Sequence, residues 1–347
     1  MRRGAGVRLL LLASCLVLLT SCSFPGSVPE TVKIGLSAPF EGLYRDLGYE
    51  ALYAVRLAVR QANDAGGIGD GRLVEMVALN DLNEPREAAL QAAEMAVDPG
   101  ILGVVGGLSP RTAVAAAPEY EDWGVPYMAP FADPRELGQA AARLAVDRLG
   151  ARSLAIFFGE DGADLAQAEG FAETIDSLGL IVLTQAQPKV GSEIAGILAR
   201  LDEVPDAVFL ASETSRSAEW IAALRQAGFE GTVLGGPEVG SRLTADIAGT
   251  AGDGVYFVSP FRLGPADPAF RAGYEALSGG VAPGGVATWC YAAARDLLDA
   301  MDAVLRSGTE PWRAGTAAAL AGVRPDEWVV DLYLIRGGEF LLAAEYQ

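Results

Sequence analysis

Val32-Lys33-Ile34-Gly35-Leu36, then the helical pattern of Tyr49 to Asn63, then Gly66-Gly67, then the apolar run Leu73 to Leu79, is the stretch that decides the fold. The first run reads as a buried strand. Between 49 and 63, Leu52, Val55, Ala58, Val59 and Ala62 fall on one helical face, with Arg56, Arg60 and Gln61 opposite. Gly66-Gly67 ends the helix, as glycine does at a helix C-terminus. Strand, helix and strand in that order make a parallel βαβ unit.

Outward from this unit the alternation continues. Strands are predicted at Ile101 to Val105 and Pro126 to Ala129, and helices at Pro85 to Val97 and Thr112 to Tyr120. A second series opens with a helix at Arg135 to Leu149. Its strands are Leu154 to Phe158, Leu180 to Thr184, Ala207 to Ala211 and Thr232 to Leu234. Its helices are Ala163 to Leu178, Ile194 to Leu201 and Ser217 to Ala227. Two such series imply two lobes, each a mostly parallel sheet flanked by helices. Helices at Pro268 to Leu277 and Ala287 to Leu305 follow. A hairpin of Val329 to Ile335 and Phe340 to Ala344, turning at Gly337-Gly338, closes the chain.

Before the first strand, Arg2, Arg3 and Arg8 precede an apolar run from Leu9 to Leu19, too short to span a bilayer as a helix. Leu19-Thr20-Ser21-Cys22 then looks like a lipobox. Residues 1–21 read as a lipoprotein signal peptide, Cys22 as a lipidation site, and 22–31 as a Pro/Gly/Ser tether. The alternative is an ordinary cleaved signal that contains a Cys.

The net charge is −19 over 347 residues. The signal holds three Arg and no acid, so without residues 1–21 the charge is −22. That acidity argues against nucleic acid as a partner. The chain has no His, which excludes Ser-His-Asp and Cys-His catalysis and every His-based zinc site. No enzyme, cofactor or metal is expected. Cys290, alone after Cys15 and Cys22, reads as a small core residue.

Three loops carry candidate chemistry. Gly67-Ile68-Gly69-Asp70-Gly71 follows a helix and precedes a strand, the reverse of a dinucleotide loop, and reads as a tight turn. Gly103 to Ser109 follows a strand and opens a helix. Its free N–H groups favour an anion, with Ser109, Arg111 and Thr112 at hand. Gly235-Gly236-Pro237-Glu238 puts a carboxylate at a strand's carboxyl end, where α/β sheets bind ligands and where it can accept an ammonium. Ordinary capping, a solvated Arg and an exposed loop acid are the alternatives.

Val32 to Leu36 with Pro39 and Gly42, Asn63 to Ile68, Gly103 to Leu108, Tyr120 to Pro126, Ala155 to Phe158, Gly236-Pro237-Glu238 and Trp289 to Ala293 resemble, in order, the branched-chain amino acid (Leu/Ile/Val-type) substrate-binding proteins of ABC transporters. The resemblance implies a two-lobed type I periplasmic-binding fold with three crossovers and a ligand cleft between the lobes. It places 32–134 plus about 262–322 in lobe 1, and 135–261 plus about 323–347 in lobe 2. In that family the loop after the third strand gives a hydroxyl to the ligand's carboxylate. The matching position is Pro110, flanked by Ser109 and Arg111. The next loop matches Pro130 to Pro134, with Phe131, Ala132 and Asp133. Asp133 stands either for the family's Thr or for an acid that holds the ligand's amine. A family segment is missing between Asp133 and Gln139. The stacking aromatic maps to Ala163, a second aromatic to Glu213 or Thr214, and the ammonium-binding acid to Glu238. A family cystine is absent, its positions being Asn83 and Ser109.

The implied protein is a monomeric, exported, lipid-anchored solute-binding protein. It captures an amino acid or similar small polar ligand and delivers it to an ABC permease of the inner membrane. A ligand-sensing or partner-activating lipoprotein on the same fold is the second reading.

Overall fold

The computed structural model describes residues 30–130, 133–260, 267–308, 310, 312–321 and 330–345. The signal, Cys22 and most of the tether lie outside these residues, as do Phe131 and Ala132.

The opening strand, β1 (Thr31–Ala38), pairs in parallel along its eight residues with β2 (Leu73–Asn80) and through Lys33 to Ser37 with β3 (Ile101–Gly106). A two-residue β4 (Tyr127–Met128) completes a four-stranded sheet in the order β2-β1-β3-β4. Between the strands run α1 (Arg45–Asp64), α2 (Pro85–Val97) and α3 (Pro110–Asp122). Proline stands at the first position of α2 and α3, where its missing N–H costs nothing.

The second sheet has seven strands in the order β11-β10-β9-β8-β7-β5-β6. β5 (Ser153–Phe158), β6 (Ile181–Ala186), β7 (Ala207–Ala211), β8 (Thr232–Gly235) and β9 (Tyr256–Ser259) run parallel to one another. β10 (Asp331–Arg336) and β11 (Glu339–Glu345) add an antiparallel hairpin beside β9. All five residues of β7 are buried, as befits a central strand covered on both faces. The helices of this lobe are α4 (Pro134–Asp147), α5 (Gly162–Ser177), α6 (Ser192–Leu198), α7 (Thr214–Gln226) and α8 (Arg242–Ala248). Helices α9 (Pro268–Ser278), α10 (Gly285–Ser307) and α11 (Trp312–Ala321) return to pack on the first lobe.

The two-lobed α/β arrangement is the one read from the sequence, with three additions. α8, α11 and β9 have no counterpart in the sequence pattern. α8 and β9 are too short for a period to register. α11 is Ala-rich and is held from outside its own helix: Arg313 donates to the carbonyl oxygens of Ala96, Asp98 and Ile101, tying α11 to the α2–β3 turn. The Gly66–Gly71 turn is closed by a bridge between Ile68 and Arg72, as its context implied.

Three apolar clusters hold the layers. One joins α2 and α3 to the first sheet through Met95, Val104 and Tyr120. Another joins α6 and α7 to the second sheet through Phe157, Trp220 and Phe257. The largest runs through both lobes, from Ile34, Leu57 and Leu297 to Leu137, Phe171 and Phe209. Cys290 is buried within it.

Helices α4 and α5 approach each other through glycine. A Cβ on Gly138 of α4 would lie 2.0 Å from the Gln167 carbonyl oxygen, and one on Gly170 of α5 would lie 2.1 Å from the Arg135 carbonyl oxygen. The two helices therefore touch backbone to backbone, and this contact fixes the height of Gln167.

Candidate functional site

The carboxyl ends of the strands in both sheets converge on one region. From the first lobe come Tyr44 after β1, Glu84 after β2, and Ser109, Pro110 and Arg111 after β3. From the second come Asp161, Asp164 and Gln167 after β5, Glu213 after β7, and Glu238 after β8. This is where open α/β sheets place ligands.

Among the described residues, two polar side-chain contacts join the lobes here. The Tyr44 hydroxyl donates to Glu213 Oε2 at 2.8 Å, across 169 positions of chain. Arg111 Nε lies 3.3 Å from Asp161 Oδ2, an ion pair without hydrogen-bond alignment. Its Nη2 donates to Glu84 Oε2, also at 3.3 Å. The Arg111 side chain is only 13 % exposed, so the pair with Asp161 is shielded more than a surface pair. Such partly exposed pairs still contribute only about 0.5–1 kcal/mol.

A strained loop delivers Glu84. Leu82 and Asn83 both have positive φ, 53° and 56°, unusual for side-chain-bearing residues. Asn80 Oδ1 accepts from Phe40 N and Leu82 N, and Asp81 accepts from Asn83 N and the Ser37 hydroxyl. Burial pushes the Asp81 carboxyl up to about 6 against the pull of those donors.

The expected anion site at the start of α3 is occupied by its own side chains. Pro110 is the first helical residue and offers no N–H. The Ser109 hydroxyl lies 3.0 Å from that of Thr112, and Ser109 N donates to Thr112 Oγ1 at 3.4 Å. Arg111 faces two carboxylates of the chain itself. Asp133 is exposed and caps α4, accepting from Arg135 N at 2.8 Å. Glu213 caps α7, accepting from Ser215 N and Arg216 N, besides Tyr44.

Glu238 is held through its backbone and leaves one carboxylate oxygen unsatisfied. Its backbone carbonyl accepts from the Thr214 and Thr244 hydroxyls, which fixes the turn after β8. Its Oε2 is enclosed and has no hydrogen-bond partner among the described residues. Burial pushes the carboxyl up to about 8, the Asp164 carboxylate adding to the shift and Arg111 opposing it. Asp164, 3 % exposed, is pushed up to about 7, by burial first and then by Asp161. Burial, then the bond to Glu213, pushes the Tyr44 phenol up to about 12.

Gln167 completes the group, and nothing in the sequence marked it. It is fully buried, and neither Oε1 nor Nε2 has a partner among the described residues. An unpaired buried amide costs about 1–3 kcal/mol, so its persistence calls for an explanation. Asp161 was within reach of the rule that picked Glu238, since it too follows a strand. Asp164 and Gln167 lie inside a helix, where polar residues ordinarily mark a solvated face.

Gly236 explains how Gln167 and Glu238 meet. Its backbone is extended (φ −67°, ψ −175°), so the turn itself does not require glycine. A Cβ there would lie 2.5 Å from Gln167 Oε1 and 3.0 Å from Glu238 Oε2. The missing side chain leaves room for both groups over one spot.

The family model described as periplasmic binding protein matches residues 31–332. The leucine-specific-binding protein of Salmonella typhimurium is 26% identical over 303 residues, covering 80% of each chain. A leucine-binding protein from Thermotoga maritima superposes with a TM-score of 0.77 at 22% identity, over 90% of this chain and 98% of that one. The branched-chain amino acid transporter substrate-binding protein of Streptococcus pneumoniae, solved with isoleucine, gives 0.73 at 18% identity, over 90% and 98%.

Proposed function

The chain belongs to the periplasmic binding protein family, and we propose that it is an exported solute-binding protein that captures a small polar ligand, an amino acid or a similar molecule, between its lobes for delivery to an ABC permease. The observation that carries this reading is the convergence of strand ends from both sheets on one group of buried and half-buried polar side chains, bridged by Tyr44–Glu213 and Arg111–Asp161. Such a site works by closure. Ligand contacts from both lobes favour the closed arrangement, and the permease reads that arrangement.

The lobe limits that fit this role are 32–134 with about 262–322, and 135–261 with about 323–347. Residues 131–132, 261–266 and 322–329, near those limits, lie outside the described residues. Ser109, Arg111, Glu213 and Glu238 are the proposed ligand-facing residues, with Pro110 and Asp133 at the rim. Lipidation at Cys22 is part of the proposal, supported by Arg2, Arg3, Arg8, the apolar run and Leu19-Thr20-Ser21-Cys22. Binding rather than bond-making is the whole activity in this reading.

The test is thermal stabilisation of the full chain, held in detergent, by a panel of amino acids, amides, amines and carboxylates. A ligand at 100 times its Kd adds about 2.7 kcal/mol of stability. A specific hit that is lost in Arg111→Ala or Glu238→Ala supports transport-type binding. No shift across the panel contradicts it and favours a protein partner instead.

A further inference from the structure

Arg111 Nε on the first lobe, and Glu238 Oε2 with both polar atoms of Gln167 on the second, are buried without a hydrogen-bond partner among the described residues. Arg111 and Glu238 are ionisable groups of opposite sign and suit charged parts of a ligand. Gln167 is different. Its amide is neutral, and both its carbonyl oxygen and its NH2 group are unused.

The fold holds that amide in place where the lobes meet. Helix α5 packs against α3 of the first lobe, and Arg111 pairs with Asp161 at the start of α5. Ala163, Asp164 and Gln167 share one face of α5 and are buried, whereas Leu165 between them is exposed. The close approach of Gly138 fixes the Gln167 backbone from one side. At the far end of the side chain, Oε1 lies against the turn after β8, 2.5 Å from where a Cβ on Gly236 would stand. The amide therefore neither reaches water nor has a described neighbour to satisfy it.

Which ligand group would satisfy it follows from donors and acceptors. An ammonium offers donors alone and leaves Nε2 unpaired. A carboxylate offers acceptors alone and leaves Oε1 unpaired. It would also join Asp164, Glu213 and Glu238, acids that already act on one another. An alkyl group leaves both atoms unpaired. A primary carboxamide carries a donor and an acceptor side by side in one plane, so two amides pair through two N–H···O bonds. Turning the Gln167 amide over exchanges its ends and leaves the match unchanged.

Resting on the solute-binding reading above, we propose that Gln167 sets specificity and that the ligand carries a primary carboxamide, which pairs with the Gln167 amide by two hydrogen bonds when the lobes close.

The experiment is calorimetric titration of the full chain, held in detergent, with probes matched in shape. Asparagine, leucine and aspartate share a backbone and end in a carboxamide, an isopropyl group and a carboxylate. Glutamine, 2-amino-5-methylhexanoic acid and glutamate repeat the comparison one carbon longer. Butanamide and butanoate separate a simple amide from an amino acid. The expected result is that a carboxamide binds roughly a hundredfold more tightly than its counterparts, because they leave a buried amide unpaired. Gln167→Met keeps the length of the side chain without its hydrogen-bonding groups and lowers that ratio at least tenfold. A purely structural Gln167 would leave the ratio unchanged. If Gln167→Met fails to fold, Gln167→Asn, which draws the amide back by one carbon, is read in the same way. A hydrocarbon or carboxylate probe that binds as tightly as the best carboxamide overturns the inference and leaves the solute-binding reading standing. So does an unchanged ratio in the variant, or a hit in the wider panel while every carboxamide fails. If neither these probes nor the wider panel of amino acids, amides, amines and carboxylates binds, both fall.

Discussion

Replacing Glu238 by Gln should make the chain more stable, and increasingly so as pH rises. The carboxyl ionises near 8 in the folded chain against an ordinary value of 4.5. Between those two values the folded state holds a proton that the unfolded state has released, so wild-type stability falls as pH rises through this window. At about 1.4 kcal/mol per pH unit, the full penalty above pH 8 is ~5 kcal/mol. Water entry and side-chain relaxation reduce it, and about 2 kcal/mol is the smallest value consistent with an enclosed Oε2. Glutamine keeps the size and carries no charge at any pH. Wild type and Glu238→Gln should therefore unfold together near pH 4.5, and the variant should lead by about 2–5 kcal/mol at pH 9. In a chain of this size that is a rise in Tm of roughly 3–7 °C. Asp164 titrates in both proteins and largely cancels from the difference. The assay is thermal and urea unfolding at unit steps from pH 4.5 to 9. Parallel curves, or a variant that loses stability at pH 9, would refute the reasoning, because the carboxylate would then be satisfied in the folded chain.

Three further outcomes rest on particular contacts. Arg111→Ala removes the Asp161 and Glu84 pairs and should weaken the closed arrangement by about 0.5–1 kcal/mol, read as a larger radius of gyration in small-angle scattering at low salt; an unchanged radius contradicts a latch role. Gly138→Ala places a Cβ 2.0 Å from the Gln167 carbonyl and should destabilise the chain by about 1–3 kcal/mol by forcing α4 from α5, seen as a lower Tm. Arg313→Met keeps the stem but removes the Arg313 bonds to the Ala96, Asp98 and Ile101 carbonyls, of which Asp98's keeps the Ile101 N–H; a loss of about 1–3 kcal/mol in urea unfolding is expected.

The fold was legible where punctuation and period agreed. Pro85 and Val97 bound a helix at the residues predicted, because proline at the first position and a β-region residue after the last mark both ends. Ala207–Ala211 came out to the residue, being a short apolar run between Pro205-Asp206 and Ser212. β9 and α8 carry too few residues for any period, and α11 depends on Arg313 reaching a distant turn. In the candidate site, Arg111 and Glu238 stood out because each closely follows a strand. The pairing of Tyr44 with Glu213 joins a short 3-10 turn to a helix cap in the other lobe, and no local pattern encodes it. Gln167 is set by the glycine contact between α4 and α5 and by the bare backbone at Gly236, which are tertiary facts.

The most direct test of the binding site is a crystal structure of the chain with the solute that stabilises it most. That solute should lie between the two sets of strand ends, with a polar atom within about 3 Å of Glu238 Oε2 and of the Gln167 amide, the usual hydrogen-bond range. Density confined to another place, such as the groove between α6 and α7 lined by Gly191, Ser192, Glu219 and Ala223, with the Gln167 amide still unpaired, would contradict it.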